Sequence, residues 1–139
     1  MTEDEWAAFL RHGTRTGKLA LALADGRATV TPVWFVLDDD GVLRFTTWHE
    51  TTKARVLRRD PRACLLVDLE EPPYAFVRVE GEVALVDDLA LVRDVARRAA
   101  ARYMGEDRAD EYAARNGVEG ELVAELRITR VVAEDDVSG

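Results

Sequence analysis

Residues 13–47, GTRTGKLALALADGRATVTPVWFVLDDDGVLRFTT, decide the fold. KLALALA is apolar enough for a strand, and ADGR carries the Asp-Gly pair of a tight hairpin. RATVTPVWFVL reads as a second strand, DDDG as the next turn, and VLRFTT as a third strand with Leu43 and Phe45 on a shared face. Pro32 inside the second strand has no N–H to give a ladder, so it predicts an edge, a bulge or a break that faces a ligand.

Working outward, EDEWAAFLRH (3–12) predicts a short helix with Trp6, Phe9 and Leu10 on one face. TTKARVLRRD (51–60) predicts another, with Glu50 or Thr51 near its N-cap and Pro61 stopping it. RACLLVDL is a fourth strand, EEPP a turn, and YAFVRVEGEVALV a long fifth strand with Gly81 as a bulge. DDLALVRDVARRAAARYMG is an amphipathic helix capped by Asp87 or Asp88, with Leu89, Val92, Ala96, Ala99 and Tyr103 along one face. EDRADEYAARNG is a further helical piece, and residues 103–120 read either as a lid or as plain packing. ELVAELRITRVVAED is the last strand, with Leu122, Ala124, Leu126 and Ile128 on one side. Six strands joined mostly by hairpins exclude a parallel α/β sheet. They predict a mainly β fold, a small antiparallel barrel with peripheral helices. So small a barrel is filled by its own side chains, which leaves a sizeable ligand outside it or between two subunits.

The composition agrees. With 139 residues, 47% hydrophobic and 33% charged, the chain suits one domain over residues 1–139. A net charge of -8 argues against a dedicated nucleic-acid binder. No apolar run approaches the ~20 residues that span a bilayer, and the acidic start MTEDEWAAFL is unlike a secretory signal. The expectation is a cytoplasmic protein with no nucleic-acid or membrane partner. Cys64, the single cysteine, reads as a small buried core residue.

The chemical signal lies in FTTWHETTKARVLRRDPR (45–62), where a strand ends at Thr46 and Thr47 and a helix begins near Thr51. Free N–H groups and the dipole of a first helical turn favour an anion. Thr46, Thr47, Thr51 and Thr52 add hydroxyls, and Lys53 a mobile charge. Residues 51–62 hold five basic residues against one acidic, a net +4 inside a molecule of -8. The same pattern is also that of a solvated surface helix. Trp34, beside Pro32, is either core or one wall of a site for a flat ring. Other templates fail: the only serine is Ser138, and His12 and His49 have no zinc-like spacing. Nor is there a P-loop or dinucleotide glycine fingerprint. No side chain stands out as catalytic and no metal is expected, so a bound cofactor would have to supply the chemistry.

The order of PVWF, a DG turn, TT, K-x-R, LRRDPR and PPY-x-x-V-x-V-x-G over residues 15–86 resembles the pyridoxamine 5'-phosphate oxidase-like superfamily. It is most similar to the small actinobacterial flavin/deazaflavin oxidoreductases that use coenzyme F-420. The resemblance implies a split β-barrel homodimer with a cofactor in each of two interface grooves. It places the cofactor phosphate at Thr46, Thr47, Thr51, Thr52 and Lys53, and the ring along Thr31, Pro32, Val33 and Trp34. It offers Arg55 and Arg59 to the anionic oligoglutamate tail of F-420. Two positions depart from the family pattern: Thr52 replaces a basic residue, and Val56 stands where asparagine is usual.

The implied activity is an oxidoreductase that passes a hydride from reduced F-420 to a small electron-poor organic acceptor. Two alternatives share the pocket: an FMN-dependent reductase, and a non-catalytic carrier of a cofactor or tetrapyrrole.

Overall fold

Alternation makes β1 (Gly17–Ala22) a two-faced strand, with Leu19 and Leu21 buried while Lys18 and Ala20 are half exposed. The structure, a computed structural model, describes residues 1–139. β1 turns through Leu23–Arg27, with Gly26 at φ +89°, into β2 (Ala28–Val33). There the predicted second strand stops. Trp34 and Phe35 break the ladder, and β3 (Val36–Leu37) pairs instead with β4 (Val42–Trp48). The strands that follow are β5 (Arg62–Asp68), β6 (Phe76–Val86) and β7 (Glu121–Glu134). The sheet therefore has seven strands rather than six, all antiparallel, in the order β2-β1-β5-β6-β7-β4-β3.

That order dictates the curvature. β2 and β3 lie on opposite edges, yet only two residues separate them. Flat, a seven-stranded sheet would hold its edges ~29 Å apart, whereas the three Cα steps from Val33 to Val36 reach ~11 Å at most. The sheet must curl until its edges meet, giving a barrel split where no ladder joins them. Pro32 sits on one of those edges, where a missing N–H is tolerated. The register shift between β6 and β7 falls between Glu80 and Gly81, where a bulge is expected, but the extra residue is Thr129 on β7 and not a residue of the strand that holds Gly81.

Four helices decorate the barrel. α1 (Glu3–Arg11) starts with a capping box between Thr2 and Glu5 and plugs the core with the fully buried Leu10. α2 (Thr52–Arg59) is capped by Thr51, buries Ala54, Val56 and Leu57, and ends before Pro61. α3 (Leu89–Met104) is capped by Asp88 and packs outside the barrel, its Val92, Val95 and Ala99 against Val36 and Val123. Its buried face is centred on Val92, Val95, Ala96, Ala99 and Ala100; Leu89 and Tyr103, expected on that face, are half-buried. α4 (Ala109–Asn116) follows a 3-10 turn and packs on α3. The interior is filled by Phe35, Phe45, Leu19, Leu43, Leu65, Leu126 and their neighbours. Cys64 is not core: it is half-buried on the outer face of β5, and burial pushes its thiol up.

A charge network anchors α3 to the sheet. Arg44 on β4 pairs with Asp38, Asp40 and Glu125, while Arg98 on α3 pairs with Asp38 and Asp94. Burial pushes the Asp38 carboxyl up, but hydrogen bonds from Arg98 and Arg44 outweigh it and hold the group below its ordinary value. A carboxylate held low in the folded state stabilises above its unfolded value of about 4 and loses that contribution as pH falls through the folded value. Melting temperature should therefore drop as pH is lowered from about 5 toward 2. Asp38→Asn should be less stable at neutral pH and show a shallower acid slope; an unchanged slope would remove Asp38 from that role.

Candidate functional site

Where the curled sheet leaves its edges unjoined, the ends of β2 and β4, the start of α2 and the outer helices frame one open cleft. Its volume is about 530 Å³, and its lining includes Pro32, Val33 and Trp34, then Thr46, Thr47 and Trp48, then Thr51 and Lys53. Ala96 and Ala99 of α3, Arg115 and Asn116 of α4, and Glu121 of β7 complete it. The size falls within the ~300–1,000 Å³ usual for small-molecule sites.

Trp34 forms an aromatic wall. Its ring stacks on Tyr103 at 5.4 Å and 8°, and Tyr112 meets it edge-on at 6.0 Å. Tyr103 is itself held: its hydroxyl donates to Arg15 O and accepts from Phe35 N. Residues 103–120 thus pack behind Trp34 and also line the cleft through Arg115 and Asn116.

The threonines divide into two kinds. Thr51 Oγ1 accepts from Ala54 N, donates to Trp48 O at 2.9 Å, and lies 2.7 Å from Thr47 Oγ1. A hydroxyl has one proton and two acceptor positions, so this set saturates Thr51 and spends the Thr47 proton on it. These two residues are the cap and brace of α2. Thr46 Oγ1 has no such partner, and the N–H groups of Thr52 and Lys53, the first two helical residues, have no carbonyl within the helix. They and the Lys53 ammonium are the free donors there.

The loop between them is rigid. His49 donates through Nδ1 to Gly120 O at 2.9 Å, its backbone N–H bonds the same oxygen, and Arg58 holds His49 O. Gly120 has φ +98°, and a Cβ there would meet the Trp48 ring at 2.4 Å, so Trp48 packs directly on bare backbone.

Other expected residues lie elsewhere. Thr31 pairs with Leu19 on β2 and is half-buried outside the cleft lining. Thr52, Arg55 and Arg59 are exposed on other sides of α2, because each residue turns the helix by about 100° away from Lys53. Arg59 donates instead to Ala22 O of β1 at 3.2 Å. Arg62 pairs with Asp60, the one acidic residue of the stretch, and Arg58 and Arg59 are directed to backbone carbonyls. Val56 is buried in the barrel core and does not face the cleft, so the missing asparagine leaves no gap in its lining. Sequence reading missed Trp48, Ala96, Ala99, Arg115, Asn116 and Glu121. Only the position of Trp48 after Thr46 and Thr47 was available as a local signal.

The sequence model described as pyridoxamine 5'-phosphate oxidase matches residues 2–133. Among solved structures the chain is similar to Rv2991, a conserved hypothetical protein from Mycobacterium tuberculosis. The two share 26% identity and a TM-score of 0.84 over 97% of this chain and 85% of that one. It is also similar to an F420 reductase, at 26% identity and a TM-score of 0.71, over 90% of this chain and 94% of that one. HutZ, the heme storage protein from Vibrio cholerae, shares the fold at 17% identity and a TM-score of 0.73, over 98% and 97% of the two chains. No curated protein matches the sequence. With the family match running over residues 2–133 of a barrel split between its edge strands, the chain belongs to the pyridoxamine 5'-phosphate oxidase family and has its split-barrel fold.

Proposed function

We propose that the cleft binds the deazaflavin coenzyme F-420 and that the protein is an oxidoreductase acting on a small electron-poor organic acceptor. The observation that carries this reading is the pairing, within one cleft, of a braced aromatic wall at Trp34 with the unpaired Lys53 ammonium at the start of α2. The likeness to an F420 reductase over 90% of the chain supports it. When bound and reduced, the deazaflavin would supply a hydride to the acceptor.

The chain's own part is positioning. Lys53, Thr46 and the N–H groups of Thr52 and Lys53 suit the phosphate; Trp34, held by Tyr103, suits the ring; Ala96 and Ala99 leave room beside it. Arg55, exposed on another side of α2 and without an ion pair, would meet the anionic tail only where that tail leaves the cleft and passes around the helix. The openness of the cleft in a single chain fits a homodimer in which the second copy closes it. No side-chain base is required by a hydride transfer to a bound acceptor, in keeping with the absence of a nucleophile–base pair.

The test is a fluorescence titration of the purified protein with F-420 and, in parallel, with FMN. Binding of F-420 alone, followed by turnover with electron-poor acceptors, upholds the proposal. Preference for FMN turns it into an FMN-dependent reductase at the same cleft, and cofactor binding without turnover of any acceptor turns it into a carrier. Lys53→Ala should weaken F-420 binding by about 1–3 kcal/mol, the range for a charge-assisted contact. Unchanged affinity in that variant removes Lys53 from the site.

A further inference from the structure

The cleft that holds the unpaired Lys53 also holds an unpaired carboxylate. Glu121 opens β7, sits opposite Trp48 in the β4–β7 ladder, and lines the cleft with Lys53 and Arg115. None of these three side chains makes a hydrogen bond or comes within 4.0 Å of an opposite charge, whereas Arg44, Arg97 and Arg98 are each paired at least twice. Glu121 is half-buried, and burial pushes its carboxyl up while Lys53 and the nearby His49 pull it down. His49 is occupied with Gly120 O and Glu50, so the unpaired cation acting on Glu121 is Lys53, while Arg115 adds a second positive charge to the same lining.

We propose that Glu121 is a specificity-determining residue that tunes the charge the cleft accepts: it opposes a second negative charge on a bound phosphate and so shifts selectivity away from a phosphomonoester and toward a phosphodiester. This rests on the reading that the cleft holds an anionic cofactor. A phosphomonoester carries a charge of about -1.5 to -2 at neutral pH, its second proton leaving near pH 6, whereas a diester carries one charge at most. Lys53 and Arg115 attract the dianion twice as strongly as the monoanion, and Glu121 repels it twice as strongly, so Glu121 cancels part of the preference that the two cations would otherwise give the monoester. At ~6 Å and an effective dielectric of ~40, one extra unit of repulsion corresponds to roughly tenfold in affinity.

The experiment uses the purified full chain at pH 8, where a monoester is fully dianionic, with phenyl phosphate and methyl phenyl phosphate as probes. Binding is read from quenching of tryptophan fluorescence, since Trp34 and Trp48 wall the cleft. F-420 and FMN are titrated in parallel. In Glu121→Gln the affinity ratio of monoester to diester should rise about tenfold, for the simple probes and for FMN against F-420 alike. Glu121→Asp, which keeps the charge, should stay near the wild-type ratio. Equal changes for both probes in Glu121→Gln, no change, or no quenching by either probe would overturn the proposal. A tenfold shift with the simple probes and no binding of F-420 or FMN would uphold the charge selection while ending the cofactor reading. Tight F-420 binding with an unchanged ratio would do the reverse.

Discussion

Arg102→Met will lower the free energy of unfolding by about 2–4 kcal/mol, the range for losing charge-assisted hydrogen bonds that leave carbonyls unpaired. The Arg102 guanidinium donates to Leu10 O at 2.7 Å, Phe35 O at 2.8 Å and Gly13 O at 3.0 Å, and lies over the rings of Phe35 and Tyr103. Burial holds its pKa below the ordinary arginine value, so part of the gain is already spent on desolvation. What remains ties three remote pieces together: the end of α1, the β2–β3 crossover and the last turn of α3. Methionine keeps much of the hydrocarbon packing but cannot bind three carbonyls. The same variant should also loosen the Trp34–Tyr103 stack, because both residues flank that crossover. Urea unfolding measures the first effect and near-ultraviolet circular dichroism the second. A loss under about 1 kcal/mol would show that water replaces the clamp without penalty.

Gly81→Ala should be at least as damaging, by about 3 kcal/mol or more, since a new methyl group would strike backbone rather than a side chain that can turn. A Cβ at Gly81 would lie 2.0 Å from Arg127 O and 3.1 Å from Leu126 Cδ1. Glycine there serves close approach, since its φ is not in the left-handed region. Pairing steps from Glu80↔Arg130 to Gly81↔Ile128, which leaves Thr129 extra on β7, and that bulge bends the longest strand pair around the barrel. Gly26→Ala is the control: Gly26 has φ +89° but nothing within 4 Å of an added Cβ. It should cost only the conformational penalty, of order 1 kcal/mol. Equal losses for the two variants, by thermal or urea unfolding, would refute the close-approach argument.

Local rules made much of the molecule legible. The period-two burial of Leu19 and Leu21, the DG and DDDG turns, the Thr51 cap, the Pro61 stop and the bulge beside Gly81 each depend on a few neighbouring residues. So does one end of the cleft lining, because Thr46, Thr47, Thr51 and Lys53 stand within eight positions of one another along the chain. Pro32 signals an edge or a break in this stretch, but nothing in the apolar run PVWFVL says that its two halves belong to opposite edges of one sheet. That break is a consequence of strand order, which is set by long-range pairing.

The same reason divides the site. Its local chemistry, a helix start with a lysine and an aromatic strand, was present in two short stretches of sequence. Its far wall was not. Glu121, Arg115, Asn116, Ala96 and Ala99 reach the cleft only because α3 docks Val92, Val95 and Ala99 on Val36 and Val123. Whether Thr51 donates to a ligand or to Trp48 O, and whether Arg59 faces a cofactor or Ala22 O, depends on which carbonyls the fold brings within 3.2 Å. Sequence periodicity records which side of an element is apolar. Which distant elements meet on that side is settled by packing the whole chain, and that packing puts an unpaired carboxylate opposite an unpaired lysine.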